Sequence, residues 1–377
     1  MGTQILLTIN SGSSSCKADV FTISGTHELS EKIATVSFHQ THHVSEPADT
    51  LFEWVDSISQ SYEIAAIGHR FVHGGDKFDS PQLIMDSTLA DLEYLTVFDN
   101  LHNSPANELI AETMRRYPNV PQVVCFDTSF YKAMPEQARL IALPDHIQKL
   151  GVRRYGFHGL SYEYVQQEFE RQAGTTAMNG RVIYAHLGSG SSLTATKDRV
   201  PIDTTMGFSP ASGIPTGTRS GDIDPTLAAF LEKNAGLSSH KLASLAQEES
   251  GLKAISGSSG DMKSLLEREE HDPKAAQAVD FYVYHVKKAI GALGATINGI
   301  DSLVFTGGIG EQSSVLRKRI CETLGFLGLI LDDKRNDKHE FTISADGSAT
   351  GVHVIPTNEA AVIARQTMRI IQQERRA

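Results

Sequence analysis

Three short loops rich in glycine and serine, two arginines set among glycines, and carboxylates at element ends are the residues of this sequence that could do chemistry. The first loop, Asn10-Ser11-Gly12-Ser13-Ser14-Ser15-Cys16-Lys17, comes after the apolar run QILLTI. Small residues let backbone N–H groups approach an anion, serine hydroxyls add donors, and a lysine adds a point charge. The pattern GxxxxGK[ST] is absent, so this is either a phosphate cradle of another kind or a plain Ser-rich hairpin turn. His186-Leu187-Gly188-Ser189-Gly190-Ser191-Ser192 repeats the arrangement, and Gly307-Gly308-Ile309-Gly310-Glu311 comes after the apolar SLVFT. Glycines between a strand and a helix put a helix start against a ligand, although a lone GGxG is usually only a turn. A GxGxxG fingerprint with its acidic residue is missing, which disfavours a dinucleotide fold.

Arg70 closes IAAIGHR, and Arg219 lies in Gly217-Thr218-Arg219-Ser220-Gly221-Asp222. Guanidinium forks suit bidentate binding of carboxylate or phosphate. Either arginine alone reads as structural; two among glycines in an acidic chain read as anion clamps. Asp127 ends PQVVCFD, where α/β strands face a ligand crevice. Glu359 comes after Pro356-Thr357-Asn358 at a helix start, where a carboxylate can equally just complement the dipole. His102, His158 and His186 stand at expected element ends close to Gly or Asn, and any one of them taken singly is more often structural. His69 and His73 are not in an HExxH helix, so zinc is not expected, and no G-x-S-x-G elbow points to acyl hydrolysis. What remains is the kit for nucleotide phosphoryl transfer: cradle the phosphates, hold Mg²⁺, and neutralise charge on the moving group.

The elements that must position these residues can be read from apolar patterning. QILLTIN, CKADVFTI and EKIATVSF read as strands, then come a helix near 49–60 and a strand at IAAIGHRFV. Helical patterns near 87–98 and 105–116 flank a turn signal at Asn103 to Pro105, and PQVVCFD is a further strand. A second set begins after Leu150, with RVIYAHL as a strand, a long Gly/Pro/Ser/Thr-rich loop over 204–225, and a long helix from Pro273 to Ile297. Ser11-Gly12-Ser13-Ser14 recurs as Ser189-Gly190-Ser191-Ser192 at the same place in a strand–turn–strand unit, which suggests a duplicated α/β domain. At 377 residues the chain is long enough for two or three domains. Its 34 Lys+Arg against 45 Asp+Glu give −11, which argues against nucleic acid or an anionic membrane as the main partner. Cys16, Cys125 and Cys321 are too few and too scattered for a disulfide framework, no segment reads as a signal peptide, and no apolar run reaches membrane-span length. A cytoplasmic protein is expected.

The pieces TINSGSSSCK, GHRFVHGG, LHN, CFDTSF, YGFHGLS, HLGSGSS, DTTMGF, GTRSGDIDP, FTGGIGE and PTNEA, in collinear order, resemble the acetate kinase family of the actin and sugar-kinase superfamily. The resemblance implies duplicated actin/sugar-kinase-like (ribonuclease H-like) α/β domains with an interdomain cleft. It places residues 1–148 plus 358–377 in the first domain and 149–357 in a nucleotide-binding and dimerisation domain. It implies reversible, direct transfer of the ATP γ-phosphoryl to a short-chain carboxylate, with Mg²⁺ (or Mn²⁺) and a homodimer. Asn10 and Glu359 would organise the metal, and Arg70 and Arg219 the carboxylate and the transferring group. His158 would stabilise the transition state with Arg219, with Asp127 as a further catalytic residue nearby to orient His158 or assist Arg219, and His102 and His186 would be supporting contacts. Ser13, Ser15 and Lys17 would line the first phosphate loop. His186, Gly188, Ser189, Gly190, Asp261, Met262, Lys263 and Gly307 to Glu311 (Gly308, Ile309 and Gly310 included) would hold the nucleotide. Val72, Leu101, Phe157 and Pro210 match a small pocket for the acyl methyl, which would separate acids by only ~1–3 kcal/mol per methylene.

The sequence departs from the family pattern at Ser189 (usually Asn), Pro215-Thr216 (usually two Met), Met262-Lys263 (usually Phe-Arg) and the inserted Ser104. A propionate or butyrate kinase, or a changed phosphoryl donor, is the neighbouring reading. An actin-like nucleotide-dependent binding module is the rival from another class, and it would not need Arg70, Arg219, His158 and Asp127.

Overall fold

The computed structural model describes residues 3–12, 15–24, 29–39 and 45–376. The chain forms two compact units. The first comprises residues 1–132, 157–164 and 358–377, and the second 133–156 and 165–357. The chain thus crosses between units around 133–164 more often than one boundary at 148 implies.

In the first unit, β1 (Gln4–Ser11), β2 (Ser15–Ile23), β3 (Leu29–His39), β4 (Glu63–Phe71), β5 (Gln82–Leu83) and β6 (Gln122–Phe126) form one sheet ordered β3-β2-β1-β4-β6-β5. Strand β1 is buried at most positions, and its run Ile5-Leu6-Leu7 is continuously apolar because both faces are covered. Ile5, Leu7 and Ile9 pack with Leu51 and Val55 of α1 (Ser45–Ser59). Leu6, on the opposite face, packs with Val362, Ile363 and Met368 of the closing helix. The period of two thus sorts one hydrophobic run into two cores.

Helices α2 (Asp86–Tyr94) and α3 (Asn100–Arg116) come after β5. The turn expected at Asn103 to Pro105 is instead inside α3, which starts earlier because the Asp99 side chain caps it by accepting from His102 N–H. Pro105 is accommodated in the second turn, and Asn103 spends its amide outside the helix, on the His73 backbone and Leu95 O. The unit is completed by the start of α4 (Gly159–Ala173) and by the closing helix.

In the second unit, β7 (Arg181–Leu187), β8 (Ser191–Lys197), β9 (Val200–Thr204), β10 (Ser302–Thr306) and β11 (Gly351–Val354) are ordered β11-β10-β7-β8-β9. Reversed, this is β9-β8-β7-β10-β11, the order of β3-β2-β1-β4-β6. The four-residue echo is therefore one visible trace of a whole-domain duplication. In both copies it turns an antiparallel hairpin, with Ser11 opposite Cys16 and Leu187 opposite Ser191. Helix α5 (Met262–Arg268) precedes α6 (Pro273–Thr296). Asp272 caps α6 by accepting from the N–H groups of Lys274 and Ala275, and Pro273 occupies the first turn where its missing N–H costs nothing. Val279, Val286, Ile290 and Leu293 of α6 pack with Ile183, Ala185 and Leu187 of β7. Helices α7 (Gly307–Gln312), α8 (Ser314–Cys321) and α9 (Glu359–Glu374) end the chain, α9 being the closing helix of the first unit. Among the described residues no helix is long and apolar enough to cross a membrane. The three cysteines are free and buried.

Candidate active site

Strands β1, β4 and β6 run parallel, so their carboxyl ends lie side by side. Asn10 and Arg70 are the penultimate residues of β1 and β4, and Asp127 comes directly after β6. Open α/β sheets bind ligands at such ends. Arg70 is the hub. Its Nη2 donates to Asp127 Oδ2 at 2.7 Å, its Nε to Asp127 Oδ1 and Oδ2 at 3.3 and 3.2 Å, and its Nη1 to Asn10 Oδ1 at 3.0 Å. Glu359, in the first turn of α9, accepts from Asn10 Nδ2 at 2.7 Å and stands 3.6 Å from Arg70 Nη1. Strand order and α9 thus gather four predicted residues that are 349 positions apart at the extremes.

Burial pushes the Asp127 carboxyl above its ordinary range; Arg70 opposes this and the neighbouring Glu359 adds to it. For Arg70, burial alone would lower the guanidinium, but the Asp127 and Glu359 carboxylates more than offset it, so the net direction is upward. The cluster carries one cation against two carboxylates, with amide and carboxylate oxygens of Asn10 and Glu359 at its edge.

His158 enters the same unit at the start of α4, with a left-handed backbone at φ 59° that non-glycine residues adopt rarely. Its carbonyl accepts from Tyr162 N–H, and Tyr131 Oη donates to Phe157 O at 2.8 Å, which fixes the approach to the helix. Gly159 allows the close pass: a Cβ there would lie 1.8 Å from Asp127 O. Leu160 N–H in turn donates to Asp127, so the α4 start and the Arg70 partner are tied together.

Val72 and Phe157 are buried, and the His73 ring lies 5.1 Å from Phe98 and 5.3 Å from Phe157, while Leu101 is half-buried. His102 directs Nδ1 at the Asp99 carboxylate, 2.8 and 2.9 Å away. Lys17 is paired across the hairpin with Asn10. Ser13 lies outside the described residues, and the side chain of Ser15 is likewise not described.

The second unit assembles its own group. Gly188, Ser189 and Gly190 turn the β7–β8 hairpin after His186, and Gly188 N–H donates to Ser191 Oγ at 3.1 Å. The GTRSG loop joins it through Gly217 N–H donating to Ser189 O at 3.2 Å. Arg219, nine-tenths buried, donates through Nη1 to Pro210 O at 3.4 Å, so these two predicted residues do meet. Gly307, at φ 77°, leaves β10 so close to β7 that a Cβ would sit 2.7 Å from Leu187 O. Gly308, Ile309 and Gly310 continue into α7.

Some predicted contact residues also have structural duties. Glu311 Oε1 accepts from Gly307 N–H at 2.9 Å and Thr357 N–H at 3.0 Å, bracing its own loop. Asp261, itself exposed, caps α5 by accepting from Ser264 N–H, while Met262 is buried in the unit's core and Lys263 is exposed.

Sequence reading missed two residues that hold these loops. Asn103 accepts from His73 N–H at 3.2 Å and donates to His73 O and Leu95 O, fixing the turn after Arg70; its LHN context is a signal, but it reads as a turn. Arg317 is fully buried, donates to Gly310 O and Glu311 O at 2.8 and 2.9 Å and to Asn336, and burial lowers it to about 10. Nothing local in SSVLRKR distinguishes it from its basic neighbours. Among the described residues no group of three or more His, Cys, Asp or Glu is placed to hold a metal.

The profile of the Acetokinase family matches residues 28–365. An acetate kinase of Rhodopseudomonas palustris is 40% identical over 328 residues, covering 85% of this chain and 80% of its own length. One from Nitrobacter hamburgensis is 39% identical, covering 97% and 96%. Among solved structures, a propionate kinase from Francisella tularensis superposes with a TM-score of 0.87 at 32% identity, covering 97% of this chain and all of its own. Porphyromonas gingivalis acetate kinase gives 0.83 at 32%, covering 98% and 100%. The fold is the duplicated actin-like, sugar-kinase-like α/β architecture. A buried arginine at the ends of parallel strands, glycine loops on a repeated sheet, and this similarity along the whole chain converge: the chain belongs to the acetokinase family.

Proposed function

We propose that this chain is an acetate kinase, which moves the γ-phosphoryl of ATP reversibly and in line to acetate, giving acetyl phosphate and ADP. The observation that carries the reading is the held guanidinium of Arg70. Three of its five N–H groups are committed to Asp127 and Asn10, leaving two for a ligand oxygen. Family membership and relatives named acetate kinase near 40% identity support the reaction class.

In this reading Arg70 binds the acetate carboxylate, and Arg219 neutralises the transferring group. His158 donates to its equatorial oxygens. Asp127 is a positioning residue that orients Arg70. Val72, Leu101, Phe157 and Pro210 are the residues assigned to the methyl. Lys17, with Ser13 and Ser15, and the loops at 186–190 and 307–311 cradle the nucleotide. Little covalent work is asked of the protein, so fixed donors and excluded water supply the rate.

The one-to-two charge ratio of the Arg70 cluster and the side-chain oxygens of Asn10 and Glu359 fit a hard divalent cation. Asn10 and Glu359 would hold Mg²⁺, which when bound shields charge on the phosphates. The reading also carries a cytoplasmic homodimer, checked by sedimentation and fractionation.

The test is acyl phosphate formation, trapped as hydroxamate, with Mg²⁺ and acetate, propionate and butyrate against ATP, GTP and pyrophosphate. Highest activity with acetate and ATP is expected. Highest activity with a longer acid or another donor would overturn the assignment of substrate while leaving the family intact.

A further inference from the structure

We infer that Asp19 is an internal competitor for phosphate: it holds the Lys17 ammonium when the first loop is empty, and Lys32 sets how readily it lets go. The inference rests on the proposed role of Lys17 in binding nucleotide phosphate.

Lys17 on β2 is the cross-strand partner of Asn10, so its side chain rises from the same sheet face as the Arg70 cluster. Asp19, two residues on, shares that face and is paired with Thr8. Its side chain is 0% exposed, and neither carboxylate oxygen accepts a hydrogen bond among the described residues. The Thr8 hydroxyl, which could have served, donates to the Asp19 backbone carbonyl instead. What faces the carboxylate is two ammonium groups, Lys32 Nζ at 3.1 Å and Lys17 Nζ at 3.7 Å, on side chains 38% and 45% exposed.

A buried carboxylate without hydrogen bonds depends on its counterions. Here one fixed anion is shared by two mobile cations. Lys17 is the more distant of the two and the one beside the candidate site. It can leave for a phosphate because Lys32 stays to neutralise Asp19. A nucleotide therefore binds against a resident anion. The strength of that competition depends on Lys32, a residue outside the phosphate loop.

The test is calorimetric titration of Mg-ADP at low ionic strength, which reads binding without turnover, with urea unfolding of each variant as the check on folding. Lys17→Met should weaken binding about tenfold. Asp19→Asn, which keeps shape and removes the competing charge, should tighten it about threefold, the scale of one partly exposed ion pair. Lys32→Met should weaken it about threefold, because Lys17 is then the sole counterion. The double variant Asp19→Asn/Lys32→Met should bind like Asp19→Asn alone, and these differences should shrink at high salt. General damage to the fold cannot produce the tightening. Equal or weaker binding by Asp19→Asn, with Lys17→Met clearly impaired, would overturn the inference and leave the nucleotide role of Lys17 standing. Unchanged binding by Lys17→Met would overturn both.

Discussion

Replacing Asp127 by Asn removes a charge without changing shape, and it does so at the residue that holds the most Arg70 donors. Asp127 accepts from Arg70 at 2.7, 3.2 and 3.3 Å and receives Leu160 N–H from the start of α4. In the variant one oxygen becomes an NH₂ that faces guanidinium donors, so one edge of the Arg70 fork loses its acceptor. Breaking a buried ion pair by removing one partner costs about 3–5 kcal/mol. Two features reduce that here: burial already disfavours the Asp127 carboxylate, and Glu359 and Asn10 still hold Arg70 Nη1. A stability loss of about 2 kcal/mol is therefore expected. The effect on turnover should be larger in proportion. With the Nε edge released, Arg70 can shift by an ångström, and misplacement on that scale costs about 100-fold, or roughly 2.7 kcal/mol of barrier. Urea unfolding, hydroxamate initial rates and Mg-ADP titration on the same preparation separate these terms. The expected pattern is a modest stability loss, kcat down about 100-fold, and nucleotide Kd within about threefold of the parent. A kcat within threefold of the parent would refute the reasoning, because Asp127 would then serve folding alone.

Arg219→Ala should lower kcat by about a thousandfold or more while Mg-ADP still binds, as expected for a group that acts on the transferring phosphoryl; equal loss of binding by titration would contradict that role. Gly159→Ala would place a Cβ 1.8 Å from Asp127 O, so α4 must retreat from the cluster, and kcat should fall about 100-fold with a stability loss above about 2 kcal/mol in urea. Stability should also fall on acidification from about pH 6.5 to about pH 4: burial lowers His69 to about 4, and His353 also to about 4, so the unfolded chain binds protons that the folded one refuses. Each contributes up to about 1.4 kcal/mol per pH unit, fully present above pH 6.5, and His69→Gln should flatten the slope seen in urea midpoints between pH 5 and 7. Chelation of divalent cations should abolish acetyl phosphate formation and Mg²⁺ should restore it, with circular dichroism unchanged because Asn10 bonds both Arg70 and Glu359 directly.

Much of the fold is legible in the sequence where local chemistry decides. The run QILLTIN reads as a buried strand, Pro273 as a helix start, and the Ser-Gly segments at 11–12 and 189–190 as part of strand–turn–strand units, since each depends on side-chain pattern, backbone restriction or small residues nearby. The start of α3 differs from expectation because Asn103 and Pro105 carry turn signals that tertiary contacts override: Asp99 caps the helix and the Asn103 amide is spent on the His73 backbone. Arg70, Asp127, Asn10 and Glu359 can be named from sequence, but their mutual bonds cannot, because sheet order and a helix from the far end of the chain create them. Met262 shows the converse: motif position nominates it for the nucleotide, while its apolar side chain is in the core. Arg317 and Asp19 are invisible in the sequence because a lone charged residue in a helix or strand carries no sign of being buried.

The central claim is that this chain moves the γ-phosphoryl of ATP directly to acetate with Arg70 as the anchor, and phosphorus NMR of ATP with Mg²⁺ and acetate tests it most directly. The account predicts that the γ-phosphate resonance converts to acetyl phosphate with matching ADP, only when acetate is present, and that Arg70→Ala abolishes this. Phosphoryl appearing as orthophosphate whether or not acetate is added, or ATP bound and left intact, would contradict it and favour a nucleotide-dependent binding module.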